Sequence, residues 1–283
     1  MNDGNNNSAT YSYVANSPLV SQIAFKQSTS TRMTTTKQYD LLNRLTQISS
    51  APSGTGVPPV VFNYTYNAAN QRTKNVLADG SYWIYQYDLL GQVTGGVKYF
   101  YDGTVVPGQT FGYQFDDIGN RKQTTAGGDS TGGNQRFANY SVNSLNQITA
   151  RDYPGTNDVI GAALATNSVA VNGQAAWRKG EYFWSTVKSN NLVGAQWEGV
   201  SVASGGSTTS GSLYVPKTPE QFSYDADGNL TNDGRWAYTW DAENRLTQMT
   251  VNTNVGPQYQ IGFAYDAKSR RIQKTWPMAR RLR

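Results

Sequence analysis

Histidine and cysteine are both absent from this sequence. Without an imidazole or a thiol there can be no Ser-His-Asp triad, thiol dyad, histidine metal site or thiolate zinc site, and no disulfide framework. Charge is scarce too: Asp, Glu, Lys and Arg make up 15% of the 283 residues. No apolar run approaches the ~20 residues that a membrane-spanning helix needs. The opening residues MNDGNNNSATYSY contain neither a basic nor an apolar region, so no export signal is visible. Glycine loops of the kind that cradle phosphates are missing as well.

What is abundant points one way. Aromatics reach 12%, with 19 Tyr and 7 Trp, alongside 28 Gly and many Asn, Ser and Thr. Strand-forming aromatics among turn formers, with little charge, predict an all-β protein of one large or two small domains. The net charge of +5 does not indicate a nucleic-acid-binding face. Lys268, Arg270, Arg271, Lys274, Arg280, Arg281 and Arg283 crowd the last 16 positions, and without them acids outnumber bases. Basicity belongs to a tail at 276–283 and the end of the last repeat, which reads as a solvated end.

One phrase recurs along the chain, commonly about every 25 residues. It is clearest as YDLLNRLTQI from Tyr39, YDLLGQVT from Tyr87, YDADGNLT from Tyr224, WDAENRLT from Trp240 and YDAKSRRI from Tyr265. Phe115 opens a variant, Tyr66 a copy with Asn for Asp, and Tyr140 a degraded copy. Before each Asp the aromatics alternate, as in Phe62, Tyr64 and Tyr66 or Trp236, Tyr238 and Trp240, which places them on one face of a strand. The Asp-x-x-Gly/Asn that follows tolerates a tight turn, and a Leu, Ile or Val restarts an extended run. Strand, turn, strand is a β-hairpin. Leu45 and Ile48 have opposite parity, so burying both requires a bulge or strong twist.

The residues assigned to this structural repeat are Tyr39, Asp40, Arg44, Tyr87, Asp88, Phe115, Asp116, Tyr224, Asp225, Gly228, Trp240, Asp241, Arg245, Tyr265 and Asp266. Asp and Arg four apart, as in Asp40/Arg44 and Asp241/Arg245, are read as holding the turn. A lone hairpin fails energetically. Each buried aromatic contributes roughly 1.5–3 kcal/mol, against about 1–2 kcal/mol per ordered backbone residue. The aromatics are therefore expected to form a buried face, sealed by neighbouring repeats that join laterally into one sheet.

These phrases resemble the YD repeats of the RHS family, which includes wall-associated bacterial proteins, insecticidal toxin-complex subunits and teneurins. The resemblance covers residues 39–150 and 220–275. It implies repeated hairpins forming a curved, spiralling sheet, part of a β-cocoon, that encloses a toxic C-terminal domain or binds extracellular partners. Parent proteins of this kind are expected to be secreted or cell-surface. The Asp-Pro-x-Gly core at which polymorphic-toxin relatives cleave themselves does not occur here, so self-cleavage and toxin activity are not carried over. The chain reads as part of a longer shell.

Residues 1–38 are expected to form a partly flexible lead-in, and 151–219 an inserted β-rich segment resembling a small sandwich. In the latter, a turn at Asn172-Gly173 precedes strands at Glu181–Val187 and Gln196–Val202. A Ser/Gly/Thr stretch from Ser204 to Ser212 then leads to Leu213. Trp177, Tyr182, Phe183, Trp184 and Trp197 read as a core. Trp184 and Trp197 are also the candidate ligand platform of a second hypothesis, an extracellular carbohydrate- or protein-binding module. Carboxylate pairs that could cleave glycosides (Asp116/Asp117, Asp225/Asp227, Asp241/Glu243) all fall in repeat turns. Asp225-Ala-Asp227 hints at calcium, but Leu230 takes the EF-hand glycine position and Trp236 that of the bidentate acid. The expectation is a non-catalytic shell segment without cofactor or metal, partnered by neighbouring repeats, a cargo domain or a glycan.

Overall fold

The computed structural model describes Gly4 and residues 6–276. Among them every regular element is a β-strand, and the described pairings are antiparallel. The all-β expectation holds. Of the basic tail at 276–283, only Trp276 lies within the described residues. The chain divides into two compact units, Met1–Gly112 with Gly128–Asn134, and Tyr113–Gly127 with Gln135–Arg283.

In the first unit, strands hydrogen-bond in chain order: β1 (Asn7–Tyr13), β2 (Val20–Gln27), β3 (Ser30–Tyr39), β4 (Leu45–Pro52), β5 (Val60–Tyr66), β6 (Arg72–Val76), β7 (Tyr82–Tyr87), β8 (Val93–Tyr99) and β9 (Val105–Phe115). The end of β9 passes into the second unit. Within the segment 1–38, read from the sequence as a partly flexible lead-in, β1, β2 and β3 pair over Asn7–Thr36. These strands carry Val20, Ile23, Phe25 and Met33 among threonines, a strand-forming composition, and the first tyrosine–aspartate phrase opens only at the last residue of β3, Tyr39.

The second unit holds β10 (Arg121–Gly127), β11 (Gln135–Val142) and β12 (Ile148–Arg151). There follow β13 (Thr156–Ala162), β14 (Val169–Val171), β15 (Gln174–Ala175), β16 (Trp177–Lys179), β17 (Tyr182–Lys188), β18 (Gln196–Ser204) and β19 (Ser207–Val215). They form two sheets, ordered β13-β17-β16 and β15-β14-β18-β19. Val169 and Val171 on β14 meet Phe183 and Val187 on β17 in a buried cluster. The two sheets share one core, as in a sandwich. The Ser/Gly/Thr stretch is not a connector but most of β19, paired residue for residue with β18 from Ser204↔Ser207 to Gln196↔Val215.

β20 (Glu220–Gln221) then pairs with β12, Arg151 opposite Glu220. Residues 152–219 are therefore an excursion within a hairpin. Its base is fastened by Arg151, whose Nε donates to Glu220 Oε2 at 2.7 Å. A six-stranded meander completes the unit: β21 (Ser223–Tyr224), β22 (Leu230–Asn232), β23 (Trp236–Trp240), β24 (Leu246–Val251), β25 (Gln260–Tyr265) and β26 (Arg271–Thr275).

The aromatic face is less buried than expected. Phe62, Tyr64, Tyr66, Trp236, Tyr238, Trp240, Phe263 and Tyr265 are all half-buried. Within a sheet the rings are covered by neighbouring rings and long cations. Trp83 stacks with Tyr85 and Phe111, Arg72 sits 3.9 Å from the Tyr64 centroid, and Lys74 lies 4.1 Å from that of Tyr82.

Candidate functional site: the aromatic–aspartate turn

Each phrase builds the same five-residue turn. The Asp40 N–H donates to the Arg44 carbonyl at 3.0 Å, and the Asn43 N–H donates back to the Asp40 carbonyl at 2.9 Å. Asp88, Asp116, Asp225, Asp241 and Asp266 repeat this pair of bonds, as do Asn67 and Asn143. The fourth residue is left-handed every time: φ is 62° at Asn43, 82° at Gly91, 86° at Gly228, 56° at Asn244 and 56° at Ser269. This is a type I turn closed by a left-handed residue, a standard three-residue hairpin loop. Gly and Asn recur at that position because they carry the smallest penalty for positive φ.

The aspartate is the turn's internal clamp. One oxygen of Asp241 accepts the N–H groups of Glu243 and Arg245 at 2.9 and 3.0 Å, while the other takes Arg245 Nε at 2.8 Å. Asp40, Asp116, Asp225 and Asp266 do the same, with Arg44, Asn120, Asn229 and Arg270 as side-chain partners. The backbone N–H of Arg245 leads in holding the Asp241 carboxyl below its usual range, and that of Arg270 does so for Asp266. Asp225, read from the sequence as an ordinary turn residue rather than a calcium ligand, likewise turns inward and accepts from the N–H groups of Asp227 and Asn229. Carboxylates so engaged are poorly placed as general acids.

The aromatic before the aspartate joins one hairpin to the one before it. Tyr66 Oη donates to the Leu45 carbonyl at 2.7 Å, Tyr87 to Arg72 at 2.7 Å and Tyr265 to Leu246 at 2.9 Å. Every acceptor is the first residue after the preceding turn. Trp240 achieves the same with Nε1 on the Leu230 carbonyl at 2.8 Å. Tyr224 reaches the Ile148 carbonyl at 2.9 Å, 76 residues back, so the contact is preserved across the excursion. Tyr39 donates to Val20 at 3.0 Å. Phe115 has no hydroxyl for this bond.

One further part of the phrase, its threonine, acquires a role that the sequence did not reveal. Register shifts by one residue just past seven of these turns, as where Gln38 pairs Gln47 but Tyr39 pairs Leu45. The residue bulged out is Thr46, and likewise Thr73, Thr94, Thr149, Thr231, Thr247 and Ile272. The Thr247 hydroxyl donates to the Thr239 carbonyl at 3.0 Å, and Thr73 and Thr149 make the same bond. The bulge also puts Leu45 and Ile48 on one face. In the degraded copy this frame places Asn143 at the aspartate position and Val142 at the aromatic one.

Adjacent turns are linked side by side. Arg44 Nη1 donates to the Asn67 carbonyl and to Asn70 Oδ1 at 3.1 and 2.9 Å. Asn120 reaches Asn146 at 3.1 Å and Asn229 reaches Asn244 at 2.8 Å, position for position. The Arg44 and Arg245 guanidinium groups also lie over the next tyrosines, Tyr66 and Tyr265, at 5.0 and 5.4 Å.

The candidate platform residues are not brought together. Trp184 lies on β17, with Nε1 bonded to Asp158 at 2.8 Å, and Trp197 lies on β18 in the other sheet, packed close to Gly256. Sequence reasoning also missed two ion pairs, Arg136–Asp158 and Arg151–Glu220, because their partners lie far apart in the chain. Turns at Leu77–Ser81 and Phe100–Thr104 use another solution. Asp79 and Asp102 sit third and accept from both N–H and hydroxyl of Ser81 and Thr104. The Asp-Gly-Ser and Asp-Gly-Thr triplets were a usable signal.

No protein-family model matches the chain. A 56-residue stretch, 20% of the chain, is 48% identical to the tRNA nuclease WapA of Bacillus subtilis strain 168. It matches equally a tRNA3(Ser)-specific nuclease WapA of Bacillus spizizenii. The match spans 2% of either relative's length. Among solved structures, a crystal structure of TcdB2-TccC3-Cdc42 is similar at a TM-score of 0.46 and 15% identity, covering 95% of this chain and 13% of that one. The Photorhabdus luminescens Tc holotoxin pore gives a TM-score of 0.44 at 13% identity, covering 94% and 13%.

Proposed function

We propose that this chain is a non-catalytic segment of an RHS-type, YD-repeat shell that encloses or presents a cargo domain carried elsewhere in a longer polypeptide. The observation that carries the proposal is the use of the phrase itself. Its aspartate clamps the turn, its threonine fills the bulge and its tyrosine binds the preceding hairpin. Residues so engaged favour an architectural role over a chemical one. The half-buried aromatic face supports the same conclusion, since rings left partly uncovered suit a wall that lines an enclosed space. The local identity to proteins named as tRNA nucleases, over 2% of their length, fits a segment that accompanies an enzyme carried elsewhere in the polypeptide. In this proposal the chain's partners are neighbouring repeats and the cargo.

Protection from protease is the test. In the parent polypeptide, the cargo region should survive limited proteolysis while the repeats are intact. It should become cleavable when Tyr66→Ala and Tyr265→Ala are combined. A cargo digested at the same rate in both proteins would overturn the proposal.

A further inference from the structure

The outer edge of β19 is a free edge without the usual guards. β19 is the last strand of its sheet, paired with β18 on one side. From Ser207 to Ser212 it reads Ser-Thr-Thr-Ser-Gly-Ser, every residue exposed. The strand carries no charge and no proline, and its nine-pair ladder runs without a register shift. A Cβ added at Gly199 or Gly211 would meet nothing within 4 Å, so nothing overlies the hairpin at those two positions. Proteins ordinarily guard such an edge with charge, proline or a bulge. The terminal strand β26 is guarded in this way, with Arg271 and Lys274 exposed and a register shift near Tyr265.

We propose that this edge is a self-association site, at which β19 pairs antiparallel with β19 of a second copy. An unguarded row of backbone donors and acceptors accepts an extended strand. A two-fold axis through the edge presents the same uncharged strand from both sides. Six small residues offer no pocket to select a foreign side chain. Hydroxyls, each donor and acceptor, are satisfied opposite one another in whatever register the axis falls. Neither copy brings a charge that would repel its mate. The ladder is short, so the association is weak and reversible, in the class of interfaces below about 1,200 Å2.

Sedimentation velocity on the full chain, over roughly a hundredfold range of concentration, provides the test. The wild type should move from monomer to dimer. T208K/T209K places one positive charge on each face of the strand, and T208E/T209E the corresponding negative charges. Each variant alone should stay monomeric with an unchanged far-UV circular dichroism spectrum, and an equimolar mixture of the two should dimerise again. A wild type that stays monomeric throughout would overturn the proposal. So would a dimer that persists in both variants, which would place the contact on another edge, or a mixture that does not recover.

Discussion

At the scale of the residue, the clearest division of labour lies between ring and hydroxyl in Tyr66. The ring packs beneath the Arg44 guanidinium, and the hydroxyl bonds the Leu45 carbonyl. Tyr66→Phe keeps the first and removes the second. Its expected cost is about 0.5–1.5 kcal/mol, the net worth of one hydrogen bond, read as a lower urea midpoint with unchanged slope. The same carbonyl partner explains why tryptophan substitutes at position 240: the indole N–H takes the place of the phenol. Asp129 adds a pH dependence. The Thr131 hydroxyl leads the bonds that hold its carboxyl at about 2. A folded value below the ordinary 3.8 favours the ionised native state. Its contribution is therefore present above pH 3.8 and lost as pH falls through about 2. Melting temperature followed through this window should fall less steeply in Asp129→Asn than in wild type.

At the scale of the element, the hairpins were legible because their cause is local. The alternating aromatics, the aspartate and the Gly or Asn three residues later lie within one short window, and each acts on its neighbours. The parity conflict between Leu45 and Ile48 even signalled the bulge, although not that Thr46 would occupy it. What could not be read was non-local. Nothing in the sequence marks Arg151 as the partner of Glu220, 69 residues away, or Arg136 as that of Asp158. The Ser204–Ser212 stretch misled because its glycine and serine content suits loops, whereas pairing with β18 decided its conformation. The Arg151–Glu220 pair gives an element-scale prediction. Burial pushes the Glu220 carboxyl up, while the bond from Arg151 acts against it. Arg151→Ala leaves a buried carboxylate unpaired, at a cost of about 3 kcal/mol near neutral pH. A carboxyl with a raised folded value binds its proton more tightly when folded. Part of the loss should accordingly be recovered as pH falls through that raised value, as measured by chemical denaturation at several pH values.

At the scale of the whole molecule, the excursion at 152–219 should be separable from the repeats around it. Its ends meet at a two-residue ladder between β12 and β20, and the Tyr224 contact to Ile148 lies on the repeat side of that ladder. Replacing residues 154–217 by a short Asn-Gly turn should leave a cooperatively unfolding β protein, as judged by circular dichroism and calorimetry. Failure to fold would mean that the repeats depend on the excursion's core. The tyrosine bond also gives the array a direction in time. In each case the acceptor carbonyl belongs to the hairpin nearer the N-terminus, and the donor hydroxyl arrives later in the chain. A ribosome releasing this polypeptide delivers each new tyrosine to a carbonyl already in place. As far as this bond is concerned, growth of the sheet can keep pace with translation, whereas the links from Arg44 to Asn67 and Asn70 form only when the following hairpin arrives.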